Sequence, residues 1–251
     1  MDGDHWCLKL IGDNFDLDDY PEFFRTGELR VERQNNDYLL VGPLIDELWA
    51  NGAPSKNTVR QTLDRLIAVA RLQQPAIGPI SAGGWICRHA DGSRTHYLEG
   101  EASLGLRGKG RASIYVNGKM VDETIQGKTI AEWCVVAAIN NSKLDHAIAY
   151  SADKHRTWGS LYAQLEAIEE YLGCSCSQSF CTASERRRFT QTANSVAVLG
   201  REARHSNTNF LPPSQPMTLQ EATTFLDRIA QQVLLNAARA LYDAATPTTS
   251  R

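Results

Sequence analysis

The stretch Trp85-Ile86-Cys87-Arg88-His89-Ala90-Asp91-Gly92-Ser93-Arg94-Thr95-His96-Tyr97-Leu98 reads as strand, turn, strand. Trp85-Ile86-Cys87 and Thr95-His96-Tyr97-Leu98 are rich in strand formers. They flank Asp91-Gly92, a pair that tolerates the positive φ angles of a two-residue type I′ turn. A hairpin this tight pairs its strands antiparallel, and the fold class follows from what lies on either side of it.

Upstream, residues 6–11 form a short β-type run closed by Gly12. Residues 29–31 and 38–41 flank the polar Gln34-Asn35-Asn36-Asp37, a second hairpin signal. Asp16 is positioned to cap a short helix carrying Leu17, Tyr20, Phe23 and Phe24, with Pro21 in its first turn. Leu44, Ile45, Leu48 and Trp49 make the apolar face of another helix. Ser55 starts a longer one with Val59, Leu63, Leu66, Ile67 and Ala70 on one side.

Downstream, residues 112–116 followed by Asn117-Gly118 read as a further strand and turn. Beyond Gly127 the pattern turns helical. Residues 129–140 are apolar and alanine-rich, and 144–150 continue the run. Trp158, Leu161, Tyr162, Leu165, Ile168 and Leu172 recur at helical spacing. Thr182-x-x-Glu185 and Thr218-x-x-Glu221 are capping boxes, the second opening a long last helix. These signals predict an α+β protein: a mixed domain with antiparallel strands over 1–126, an all-helical bundle over 127–245, and a flexible tail over 246–251.

Composition narrows the class of function. The chain has 251 residues, 42% hydrophobic and 22% charged, with a formal net charge of −3. That balance fits a globular protein and argues against a surface built throughout for phosphate. The acidic start, Met1-Asp2-Gly3-Asp4, does not resemble a secretory leader, and no run reaches membrane-span length. The expectation is a cytoplasmic protein with no membrane association, whose six cysteines are thiols.

Chemistry concentrates in Arg186-Arg187-Arg188-Phe189-Thr190-Gln191-Thr192-Ala193-Asn194 and Gly200-Arg201-Glu202-Ala203-Arg204-His205. Arginine forks pair with phosphate or carboxylate, and an imidazole moves a proton near neutral pH. Two readings stand. The segment is an anion-handling site, or it is a polar network fixing a helix junction, with Asn194 as a cap and His205 bonded to a carbonyl.

The motifs W..LY..LE.I (158–168), RFTQTAN (188–194), GREARH (200–205) and P..PM.L.EA..F (213–225) together resemble an uncharacterised family of bacterial proteins. The opening IGDNFDL (11–17) resembles that family's start. More remotely, the order of helix, Arg or Asn, Gly-containing turn, His, proline-rich gap and long final helix resembles the helical HEPN domains. An Arg-x4-6-His motif there makes metal-independent endoribonucleases, dimerisation pairs two motifs across a cleft, and many members serve phage defence.

That resemblance implies His205 as general acid or base, Arg201 or Arg204 on the scissile phosphate, and Asn194 orienting it. Arg187 and Arg188 would bind the substrate. Three residues separate Arg201 from His205, one fewer than the motif's minimum, although positions four apart share a helix face. The expected function is a binding, adaptor or oligomerisation module, the alternative being the nuclease. The expected partner is a second copy or another protein, with RNA for the nuclease.

No cofactor and no metal site are expected. Cys174-x-Cys176-x4-Cys181 supplies three thiols that need a fourth ligand, with His155 nearest in sequence, and reads as ordinary loop thiols. His89 and His96 could face each other across the first hairpin, or simply decorate its solvated tip. The glycines of 100–110, with Arg107 and Lys109, offer a weak phosphate-loop signal against a plain strand connection. Asp13, Asp16, Asp18 and Asp19 cluster without a calcium-loop pattern.

Overall fold

In a computed structural model, the hairpin over 81–97 forms one edge of a five-stranded antiparallel sheet of order β2-β3-β1-β4-β5. Its strands are β1 (His5–Ile11), β2 (Arg30–Gln34), β3 (Asp37–Val41), β4 (Ser81–Arg88) and β5 (Arg94–Tyr97). A separate two-stranded ribbon pairs β6 (Tyr115–Val116) with β7 (Lys119–Met120). The structure describes residues 4–50, 52–97, 115–116, 119–120, 128–204 and 211–245. The α+β class read from the sequence is the observed one.

The chain folds as two compact units, Met1–Val136 and Ala137–Arg251. The division falls inside helix α5 (Ile130–Ile139). In the first unit β1 is the middle strand, with one hairpin on each side. Leu8 pairs with both Leu40 and Trp85, which puts Trp6, Leu8, Tyr38, Leu40, Trp85 and Cys87 on one face.

On that face lie α1 (Asn14–Leu17), α2 (Tyr20–Phe23) and α3 (Pro43–Trp49). Asp18 receives the Tyr38 hydroxyl, and Trp49 meets Trp85 edge to face at 5.3 Å. Helix α4 (Lys56–Gln73) begins at the Ser55 cap, packs against β4, and buries Val59, Leu63, Leu66, Ile67 and Ala70 as their spacing predicts. On the opposite face Cys7, Leu39, Val41 and Ile86 form a buried floor. Across that floor Arg88 reaches Glu32, its two terminal guanidinium nitrogens each 3.1 Å from one carboxylate oxygen.

Two local expectations change. The cap of α1 is Asp13, which accepts the Phe15 amide, whereas Asp16 is buried within the helix. The 85–98 turn is no two-residue I′ turn. The strands close at Arg88 and Arg94, a five-residue loop intervenes, and Gly92 turns it with φ 83° while Asp91 does not take a positive φ. Asp91 instead uses its carboxylate on the Ser93 amide at 2.8 Å, a competing bond that a short acidic side chain makes well. At the corner from β3 into α3, Gly42 sits at φ 130°, where a Cβ would lie 2.4 Å from the Glu28 carbonyl.

Buried Glu132 anchors the start of α5, accepting from Thr26 Oγ1 at 3.0 Å and from the Thr129 amide. Thr129 Oγ1 in return accepts the Glu132 amide at 3.2 Å, a capping box.

The second unit is helical: α6 (Ser142–Ala149), α7 (Trp158–Leu172), α8 (Ala183–Asn194), α9 (Val196–Leu199) and α10 (Leu219–Ala245). Both predicted capping boxes form, with Thr182 and Glu185 opening α8 and Thr218 and Glu221 opening α10. Leu161, Leu165, Ile168, Phe189, Leu226, Ile229, Val233 and Leu234 fill the core. Leu219, at the first position of α10 after its cap, is 39% exposed.

Candidate functional site

The arginine-rich segment lies on α8 and just beyond it, and the structure shows what holds each guanidinium. Arg186 forks onto Glu169 of α7, with Nε and Nη2 each 2.7 Å from a different carboxylate oxygen. The same carboxylate accepts the Cys176 amide at 2.9 Å. Burial pushes the Glu169 carboxyl up, but these bonds and the Arg186 charge outweigh it and leave it below the usual value.

Arg188 donates to the carbonyls of Gln215 (2.6 Å) and Pro216 (3.2 Å) and reaches Glu221 at the start of α10. Arg204 contacts Glu166 at 2.8 Å and lies 4.0 Å over the Tyr162 ring. Arg187 and Arg201 are exposed.

Asn194 is the last residue of α8 and is buried, its Oδ1 without a hydrogen-bond partner, so Ser195 takes the capping position. The Arg204 amide bonds to the Ala193 carbonyl at 2.9 Å, so the chain beyond the 200–202 turn returns to the end of α8. Arg204 and Asn194 are thereby near one another along the backbone. His205 lies outside the described residues.

Elsewhere in this unit, Arg156, Gln164, Ser151 and Asp227 form a closed polar network. Ser151 Oγ donates to Asp227 at 2.9 Å, Gln164 Nε2 donates to Ser151 at 3.0 Å, and Arg156 bonds both Asp227 (3.2 Å) and Gln164. Beside it a groove of about 330 Å³ is lined by Arg156, Thr157, Trp158, Gly159, Glu202 and Leu219. Cys176 and Cys181 face each other at 3.5 Å while Cys174 is exposed, so the three thiols do not converge.

In the sheet unit, strand register assembles a group that sequence reasoning missed. His5 pairs with Arg88 and Trp6 with Cys87, so Asp4, one step on, stands opposite His89. Residues two apart on a strand share a face, which places Asp4, Trp6, Cys87 and His89 together, with Thr95 opposite Cys87 on β5. His89 Nδ1 is 2.9 Å from Asp4 Oδ2 and 3.7 Å from Cys87 Sγ, and Nε2 is 2.8 Å from Thr95 Oγ1. The one available sequence signal was Cys87-x-His89 at strand spacing. Asp4 becomes visible only once β1 and β4 pair.

These are the residue types of a cysteine nucleophile with its base and acid, but the connections are wrong for it. A working triad puts the thiol on one imidazole nitrogen and the carboxylate on the other, whereas here both meet Nδ1. Cys87 is buried, and burial followed by the Asp4 charge pushes its thiol up, away from thiolate. What the three groups can do together is hold a cation. Beside them Trp6 stacks on Trp49 at 3.5 Å and 1°, and Tyr97, 47% exposed, leans against both rings.

The remaining sequence candidates separate. His96 pairs with Ile86, on the face opposite Cys87 and Thr95, so it does not meet His89. Asp13 caps α1, Asp18 receives Arg33 and Tyr38, and Asp19 receives Gln74, each a separate structural task. Residues 100–110 lie outside the described residues. Among the described residues no helix is long and apolar enough to cross a membrane. No protein-family model matches the chain, and neither a curated protein nor a solved structure matches it.

Proposed function

We propose that this chain is a binding or adaptor module, associating with a second copy or with another protein, and that its arginine-rich segment is framework. The observation that carries this reading is the engagement of Arg186, Arg188 and Arg204 by Glu169, Glu221, Glu166 and two carbonyls within their own helical unit. An arginine that must clamp phosphate has to give up such partners first. For the bidentate Arg186–Glu169 pair that costs about 1.5–3 kcal/mol before any substrate is held, and for the exposed Arg204–Glu166 pair about 0–1 kcal/mol. The groove beside α7 supports the same reading, because its lining of Trp158, Leu219, Arg156 and Glu202 offers mixed contact surface and, among the described residues, no nucleophile paired with a base.

A second reading, the metal-independent ribonuclease, is favoured by one observation. The Arg204 amide on the Ala193 carbonyl brings the chain just before His205 back to the helix end that carries Asn194. Total RNA incubated with the purified protein in excess EDTA separates the two. The adaptor reading predicts intact RNA, with no difference between the parent and His205→Ala. Cleavage that persists in EDTA and disappears in both His205→Ala and Arg204→Ala would establish the nuclease instead.

A further inference from the structure

We infer that Asp4 Oδ2, Cys87 Sγ and His89 Nδ1 form a site for a divalent cation of zinc's class, with the fourth position open to water or a small ligand. The three atoms lie within 4.8 Å of one another. A tetrahedral zinc site with its usual bond lengths sets N to O and N to S about 3.3–3.6 Å apart. The 2.9 Å and 3.7 Å found here differ from that by less than about half an ångström.

The donor set selects the metal. A thiolate and an imidazole disfavour magnesium and calcium, which take oxygen ligands, and favour zinc or its neighbours. One thiolate and one carboxylate neutralise a doubly charged ion, which lowers the cost of holding it beside a buried cysteine. On binding, the Cys87 proton leaves to water and the His89 Nδ1 lone pair ligates. His89 Nε2–H then donates to Thr95 Oγ1. That last bond is the outer-shell support by which metal-bound imidazoles are held in one tautomer and one orientation.

The Cys87 thiol also meets the Asp4 carboxylate, so each of the three groups faces the other two. A cation serves all three at once. Asp4, just before β1, and His89, just past the end of β4, are held to this by the pairing of those strands, and Asp46 of α3 fixes β1 further through the Trp6 amide (2.7 Å) and His5 Nδ1 (3.0 Å).

The test uses the full, untagged chain, stripped with EDTA, then equilibrated with zinc or cobalt(II) and gel-filtered. Metal analysis should find about one tightly held ion per chain, and the cobalt form should show a thiolate-to-cobalt charge-transfer band. Asp4→Asn and His89→Gln, both at accessible positions, should abolish tight binding. Cys87→Ser should remove the band, and Thr95→Val, a positioning change, should weaken binding about 10–100-fold. The Cys174→Ser/Cys176→Ser/Cys181→Ser triple variant should bind as the parent does. Failure of the stripped protein to retain metal would overturn the inference. So would binding that survives Asp4→Asn and His89→Gln but is lost in the triple variant.

Discussion

Glu169 shows how a single carboxylate can fix a helix junction. It takes two hydrogen bonds from Arg186 and one from the Cys176 amide, and its side chain is only 18% exposed. The neighbouring pairs are weaker for a physical reason. Arg204–Glu166 and Arg228–Glu185 are more exposed, and screened pairs of that kind contribute about 0–1 kcal/mol. Because the Glu169 carboxyl is held below its usual value of 4.5, its contribution is fully present above that value and is lost as pH falls through the lowered folded value. Glu169→Gln should therefore destabilise the protein by about 1–3 kcal/mol at neutral pH. It should also flatten the acid limb of a plot of urea midpoint against pH. A variant with the parent's acid limb would show that the carboxylate is not coupled to folding.

At the scale of elements, helix α7 is the common partner of α6, α8 and α10. Leu165 sits on its inner face at 1% exposure, so Leu165→Ala should cost about 2–5 kcal/mol, read from denaturant melting. A loss below about 0.5 kcal/mol would mean that α7 does not bury this stripe. How much could be read beforehand depends on how local the information is. The capping boxes of α8 and α10, the Ser55 cap of α4 and the 34–37 turn were legible because each is written within four residues. The turn at Asp91-Gly92 was misread because its five-residue loop is set where Arg88 meets Arg94, beyond the dipeptide. The partner of Arg186 lies 17 residues back on another helix, so arginine density alone left an anion site and a polar helix-junction network both open. Asp4 and His89 are 85 residues apart, and only the pairing of β1 with β4 brings them together.

At the scale of the whole molecule, two kinds of polar chemistry divide between the two units. In the sheet unit, register gathers a thiol, an imidazole and a carboxylate onto one face beside an aromatic group. In the helical unit, arginines and carboxylates tie α7, α8 and the start of α10 into a frame. These guanidinium groups are engaged in structure, and a double-mutant cycle on Arg186 and Glu169 tests that most directly. The parent, Arg186→Met, Glu169→Gln and the double variant would be compared by the opening free energies of α7 and α8 amides in native-state hydrogen exchange. The account predicts a coupling of about 1 kcal/mol or more between the two positions. Single effects that add to within about 0.3–0.5 kcal/mol would contradict it, leaving Arg186 free to serve another purpose.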